Sequence, residues 1–369
     1  MYRGNFQEIQ FAYDQEILEM SKTKIALAGL GVIGRKHALA ISKSITCELT
    51  AVVDANPATA VLAKQYGAAF HSSLEELFYN TKVDGVLLAT PNSMHASQGI
   101  ACAERGLHIL VEKPFATTVG EAQALVESGR KNNIYILAGQ YRRFNTQVET
   151  AREIVRSGAI GTLVGVSAIW AMKKHDEYYD VSWRTEPGGG PILTNLIHDV
   201  DCLRWICGEI TSVSAQISSA TRGHAVEDTA AISLRFEGGA LGTVLLSDVA
   251  PSPWAFEAST TENADFFHMD DCCYRFMGTK GAFDFPLMRI WTYPENMPQR
   301  WDYPMAKSHR PTGPGKPLDA QIEHFGKVIR GEEEPRTSGA DGARTLAATL
   351  AVTEAAKTGT LVTPATIQG

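Results

Sequence analysis

The sequence predicts an α/β chain in two parts: an N-terminal doubly wound parallel sheet, then a C-terminal α+β part built on a large, mostly antiparallel open sheet. Three observations predict it. From Lys24 to about Ala138, short aliphatic and β-branched runs alternate with amphipathic stretches, as parallel strands joined by crossover helices do. Beyond Arg142 the texture changes to runs that alternate between polar and apolar residues, the pattern of antiparallel strands with one wet face. At 369 residues the chain is long for one ordinary domain and sufficient for two cores. We place the boundary at 141/142, so that residues 22–141 form the first domain, 142–369 the second, and 1–21 an N-terminal extension.

In the first domain KIALA, LTAVV, DGVLLA, LHILVE and IYILA read as strands. A sheet of this kind holds its ligand beyond the carboxyl ends of its strands, which directs attention to the loops that follow them. The second domain opens with a helical stretch, TQVETAREIVRSG, followed by TSVSAQISSA, TAAISLRF and GALGTVLLSD as strands. The proline- and glycine-dense PENMPQRWDYPMAKSHRPTGPGKP can be neither a long helix nor a central strand and reads as an extended excursion. Two helical patterns, LDAQIEHFGKVIRG and GARTLAATLAVTEAAKTG, close the chain.

Composition narrows the function. Hydrophobic residues make up 44% and charged residues 20%, a globular balance. A net charge of -7 with the signs interspersed offers no field for a phosphate backbone, so nucleic acid is not an expected partner. No apolar run approaches the roughly 20 residues that span a bilayer, and the first 22 residues lack the apolar core of a secretory signal. A cytoplasmic protein is expected. Six scattered cysteines without zinc-type spacing read as free thiols, and no metal site is expected.

The first strand runs into Gly29-Leu30-Gly31-Val32-Ile33-Gly34, followed by a helical pattern. A dinucleotide site needs such glycines for a tight turn, for room against a pyrophosphate, and for close contact between helix and strand, while the N–H groups at the helix start face the phosphates. Alone the motif is weak; here it follows a strand, opens a helix, and precedes Asp54 at the end of the second strand. Asp54 is placed to accept hydrogen bonds from a ribose and to repel a 2'-phosphate, and Ala55 and Asn56 beside it bring no arginine. The expected cofactor is NAD rather than NADP. Asp54 is equally placed to cap the helix that starts near Asn56-Pro57.

Thr90-Pro91-Asn92-Ser93-Met94-His95 follows DGVLLA, and Glu112-Lys113-Pro114 closes LHILVE. With the glycine loop, and with GGGPILTNLIHDVDCLRWICGE and VEDTAAISLRFEGGALGT further on, these segments make the chain resemble the Gfo/Idh/MocA oxidoreductases from about Lys24 to Pro364. The resemblance implies that Glu112, Lys113 and Pro114 lie by the nicotinamide, with the proline in a cis bond. It also implies that Thr90, Pro91, Asn92 and His95 contact the cofactor. Lys113 would then bind the cofactor ribose and the reacting oxygen, where an ammonium stabilises a developing alkoxide. A surface ion pair between Glu112 and Lys113 is the structural alternative, as helix capping is for His95.

Gly188 to Gly190 and Pro191 suit the approach to a helix. On it, Leu193, Leu196, Ile197, Val200 and Leu203 form an apolar face, and Thr194 and His198 share another. A neutral imidazole, with a reference pKa of about 6.5, suits removal of a hydroxyl proton as hydride leaves the same carbon. The resemblance assigns His198 that role. Many relatives carry an aspartate four residues before this histidine; Thr194 stands there instead, with Asn195 next. Arg142, Trp183, Arg184, Thr194 and Asn195, with Lys113 and His198, are candidates for lining the substrate pocket. Asp199 and Asp201 point in different directions on a helix, and Asp228 reads as fixing a strand start.

The resulting expectation is an NAD-dependent dehydrogenase acting on CH–OH groups of a sugar, inositol or related ring, forming a homodimer or homotetramer through its open sheet. Two alternatives stay open: a reductase or dehydrogenase of a dihydrodiol, semialdehyde or imine on the same fold, and a non-catalytic NAD-sensing regulator.

Overall fold

The computed structural model describes residues 22–262, 266–313 and 315–368. The expected N-terminal extension lies outside them.

Six strands form the first sheet: β1 (Thr23–Ala28), β2 (Cys47–Val53), β3 (Ala69–His71), β4 (Gly85–Leu88), β5 (His108–Val111) and β6 (Ile136–Ala138). All pair in parallel, in the order β3-β2-β1-β4-β5-β6. The order reverses beside β1, which is where such sheets place their ligand. Helices α1 (Val32–Lys43), α2 (Ala60–Gln65), α3 (Leu74–Asn80), α4 (His95–Ala103) and α5 (Val119–Lys131) make the connections. All four residues of β4 are buried, as expected of a central strand covered on both faces. Thr118 starts α5 with a capping box closed by Glu121.

Helix α6 (Thr146–Arg156) leads into the second sheet, whose eight strands are β7 (Leu163–Ala171), β8 (Ile210–Ser218), β9 (Thr229–Phe236), β10 (Leu241–Ser247), β11 (Tyr274–Gly278), β12 (Gly281–Phe285), β13 (Arg289–Thr292) and β14 (Ala306–His309). Their order is β14-β13-β12-β11-β7-β10-β9-β8, and every pairing is antiparallel except β7 with β10. Strands β9 and β10 alternate buried and exposed residues, so one face of the sheet is dry and the other open. On the dry face Trp170, Phe236, Tyr274 and Phe276 pack with residues of α6, of α7 (Ile197–Cys207), of α8 (Phe256–Thr260) and of the closing helix α10 (Gly339–Thr358). Among its described residues the excursion predicted over 294–317 holds β14, an exposed edge strand.

Two compact units result, and their division differs from the single cut at 141/142. The first holds the described residues up to Gly139 together with Leu318–Ala343 and Gln368; the second holds Gln140–Pro317 and Arg344–Ile367. The chain returns because α9 (Pro317–Ile329) buries Ile322, Phe325 and Val328 in the core of the first sheet. Gly85 makes room for them: a Cβ there would lie 2.8 Å from Ile329 Cδ1 and 2.9 Å from Phe325 Cζ.

Phe325→Ala should therefore destabilise the first unit by about 3–5 kcal/mol, although residue 325 lies far along the chain from that sheet. Urea unfolding followed by circular dichroism measures it. A loss below about 1 kcal/mol would mean that α9 is not part of this core.

Candidate active site

The three loop glycines each meet a distinct demand. Gly29 has φ +89°, and a Cβ there would sit 2.5 Å from the Ala89 carbonyl oxygen. Gly34 lies so close to the loop that its Cβ would be 2.0 Å from Gly29 O, whereas Gly31 faces open space. The open position is the one at which a pyrophosphate needs clearance. Helix α1 starts at this point with no side-chain cap and no acidic residue in its first turn, so its N–H groups remain directed at the loop.

Asp54 follows β2. Its Oδ2 accepts from Leu30 N at 2.7 Å and its Oδ1 from Asn56 N at 2.8 Å, so the carboxylate ties the glycine loop to the second strand and also shapes the next turn. Asn56 itself caps the following turn at Ala58 N. Each carboxylate oxygen keeps a lone pair for a ribose hydroxyl. A cavity of about 620 Å³ opens beside it, bordered by Gly29, Asp54, Thr90, Pro91 and Gln98; its lining carries Asp54 and Glu75 but neither lysine nor arginine. The cavity suits an adenosine ribose without a 2'-phosphate. Asn92 is exposed at the loop that follows.

Two expected cofactor contacts are corrected. His95 is 1% exposed, with Nδ1 2.9 Å from Pro114 O and Nε2 2.9 Å from Thr90 O, so its ring joins two loops instead of reaching a ligand. Glu112 is 3% exposed and turned inward: Oε1 accepts from His37 Nε2 at 2.6 Å and Oε2 from Lys113 N at 2.9 Å. It forms no surface ion pair. Burial opposes its charge, but the hydrogen bond from His37 prevails and holds the carboxyl below its usual range. Lys113 is half-buried at the end of β5, and the Lys113–Pro114 bond is cis.

In the second unit, Ile192–Leu196 forms a π-helical turn that leads into α7. The turn replaces the regular helix expected to place Thr194 and His198 on one face, and such turns recur at functional sites. Thr194 Oγ1 donates to Gly190 O at 2.9 Å and lies 2.9 Å from Asn195 Oδ1. Glu227 Oε1 accepts from Ile192 N at 2.8 Å and supplies the start of the helix with its acceptor. His198 is 6% exposed, edge-on to the Tyr141 ring at 5.5 Å. Trp183 is exposed, Asn195 is partly exposed, and Arg184 lies over Tyr178.

Arg142 is a correction. It is 1% exposed, donates through Nη2 to Glu257 at 2.7 Å and through Nε to Glu262 at 2.9 Å, and stacks on Phe256, so it does not line a pocket. Arg143 forks onto Asp201 at 2.9 and 2.7 Å. Tyr274 donates to Asp199. Asp228 accepts from Thr221 N and Arg222 N just before β9, as expected of a residue fixing a strand start.

Two family profiles match the chain: "Oxidoreductase family, NAD-binding Rossmann fold" over residues 23–140 and "GFO/IDH/MocA C-terminal domain" over 148–284. The chain belongs to the Gfo/Idh/MocA family. Its first unit is thus an NAD-binding Rossmann domain. The rhizopine catabolism protein MocA of Rhizobium meliloti is 30% identical over 56% of this chain and 65% of its own. The 1,5-anhydro-D-fructose reductase of Ensifer adhaerens is 27% identical over 78% of this chain and 82% of its own. The match to MocA thus spans less than two thirds of that protein. Among solved structures, the WlbA dehydrogenase of Chromobacterium violaceum, in complex with NADH and UDP-GlcNAcA, superposes with a TM-score of 0.76 at 25% identity, over 94% of this chain and 96% of that one.

Within this Gfo/Idh/MocA chain, sequence reasoning missed His37, Gln98, Tyr141 and Glu227. Only His37 left a signal, three residues after the last loop glycine and so on the inner face of α1.

Burial raises the Asp199 carboxyl to about 7, against the opposing pull of Arg142 and with added repulsion from Glu257. The group therefore favours the folded state in its protonated form. That contribution is complete below the unfolded value near 3.8 and lost as pH rises through about 7. Asp199→Asn keeps an acceptor for Tyr274 and cannot ionise. It should gain stability over wild type as pH rises across that window, read by chemical denaturation at several pH values. A constant difference across the window would rule out the protonated carboxyl.

Proposed function

We propose that the chain catalyses NAD-dependent hydride transfer at a secondary alcohol or ketone of a sugar, inositol or related hydroxylated ring. The observation that carries the reading is the Lys113 segment, a half-buried ammonium at the carboxyl end of β5, backed by the buried His37–Glu112 pair, in the domain that holds the Asp54 cavity. That the relatives include a reductase of 1,5-anhydro-D-fructose points to carbohydrate as the substrate class.

The open Gly31 position and the lysine- and arginine-free cavity at Asp54 fit NAD. When bound, the nicotinamide supplies the hydride acceptor. Val32 and Ile33 present backbone N–H groups at the start of α1. Thr90, Pro91 and Asn92 shape the cofactor's path, and Pro114 turns the backbone beyond Lys113. Lys113 stabilises negative charge on the substrate oxygen, and His198 takes the hydroxyl proton. Thr194 and Asn195, next to His198 in sequence, with Trp183 and Arg184, bind substrate.

The open face of the second sheet supports a homodimer or homotetramer. Val164, Ile217, Leu241 and Leu245 are exposed, and exposed apolar residues on a wide sheet face are normally covered. A monomer in sedimentation velocity at micromolar concentration would overturn this. We place the protein in the cytoplasm, since all six cysteines are free and only Cys207 is partly exposed; recovery in a secreted fraction would contradict it. No helix is long and apolar enough to cross a membrane among the described residues.

Fluorescence titration of wild type and His198→Asn with NADH and NADPH tests the whole reading. NADH should bind more tightly to both, with turnover on a sugar and inositol panel about 100- to 10,000-fold lower in the variant. Preference for NADPH would remove the role of Asp54, and unchanged turnover would remove that of His198.

A further inference from the structure

The segment of residues 174–186 sorts its charges by direction. Asp176, Glu177, Asp180 and Glu186 are exposed, whereas Lys174 and Arg184 are turned in against Tyr178, at 4.6 and 4.0 Å from its ring centre. The two inward cations are treated differently. Lys174 has Asp248 at 3.5 Å, whereas Arg184 meets no carboxylate among the described residues. Only its Nη1 is engaged, donating to Tyr178 O at 2.7 Å, while Nε is buried with no hydrogen-bond partner. The Tyr178 ring and carbonyl meet this charge but no acid does among the described residues, and an anion bound across the Nε–Nη2 edge would supply the missing partner.

The same residue is fixed against the start of the His198 helix. A Cβ on Gly189 would lie 2.2 Å from Trp183 O and 2.7 Å from Arg184 Cα, so the backbone at 183–184 rests directly on the glycine triplet. The Tyr178 hydroxyl interacts with Thr194, one turn before His198. Arg184 is thus held from both sides beside the residues proposed to bind substrate.

We propose that the substrate is an anionic carbohydrate, a sugar acid or sugar phosphate, whose charged group is received by Arg184. This rests on the dehydrogenase reading and specifies its substrate class. Isothermal titration of the NADH-loaded protein with D-glucuronate, D-gluconate, D-glucose 6-phosphate, D-glucose and myo-inositol tests it without requiring turnover. At least one acid should bind tenfold or more tightly than the neutral compounds. In Arg184→Gln that advantage should fall about ten- to a hundredfold, with Arg184→Lys recovering part of it and circular dichroism confirming that both variants fold. Binding of the phosphate alone, or of the carboxylates alone, identifies the anion. Equal binding of acids and neutral compounds, binding of none, or a preference that survives Arg184→Gln overturns the proposal. Parallel assays at the reduced-nicotinamide band separate the two readings. Acids bound through Arg184 but never oxidised would sink the dehydrogenase reading alone, and neutral sugars oxidised with no preference for acids would sink this one alone.

Discussion

The cofactor side of the molecule depends on how closely the first helix approaches the first strand. With no side chain at 34, α1 rests on the carbonyl of Gly29, a contact no other residue permits. One turn later His37 is fully buried and reaches Glu112 at the far end of β5. Glu112 in turn accepts the backbone N–H of Lys113. The position of the ammonium thus follows from a glycine nearly eighty residues earlier through one buried imidazole and one buried carboxylate. On the other side of the loop, Leu30 N donates to Asp54, so the same close approach also sets the Asp54 carboxylate. His95, bridging Thr90 and Pro114, joins the remaining loop to this frame.

The second unit solves a different problem, that of holding His198 still among buried charges. Arg142 faces Glu257, Glu262 and the Asp199 carboxyl, one cation among three acidic side chains, with Tyr141, Trp170 and Tyr274 donating into the group. Such a cluster is poor at adding stability, because each desolvated charge offsets most of what its pairing gains. It is effective at fixing geometry, since any other arrangement would leave a buried charge alone. Asp199 and Asp201 flank His198 and are held by Tyr274 and Arg143, so the helix is secured on either side of the imidazole while Tyr141 meets its edge.

Strand runs, glycine loop and helical periodicities were legible because each is a local pattern with its own period. Strand β3 was not, since three residues with one buried cannot display alternation, and β7 and β11 to β13 were not singled out either. The return of α9 to the first core was also hidden, because its apolar face says only that it is buried, not where. The site divides in the same way. Asp54, Lys113 and the glycines are marked by their place after a strand. Glu112, His95 and Arg142 looked like ligand residues because they are polar and near a motif, but their partners, His37, two carbonyls and Glu262, are fixed only by the tertiary fold. The π turn at 192–196 leaves no trace in periodicity, because its apolar residues fit an ordinary helix as well.

Thr194 follows from these constraints. A carboxylate at that position would favour a protonated His198 ring; a hydroxyl donating to Gly190 O instead secures the widened turn. The nearest carboxylates in sequence are already engaged by Tyr274 and Arg143. Orientation and charge are therefore supplied separately on the His198 side: the fold provides the first, through the pairs at 199 and 201. Orientation alone accounts for a large part of a catalytic barrier when reacting groups are held in place. In the proposed reaction Lys113 is the residue that meets charge on the substrate oxygen, and its segment is braced by two buried histidines and a buried carboxylate.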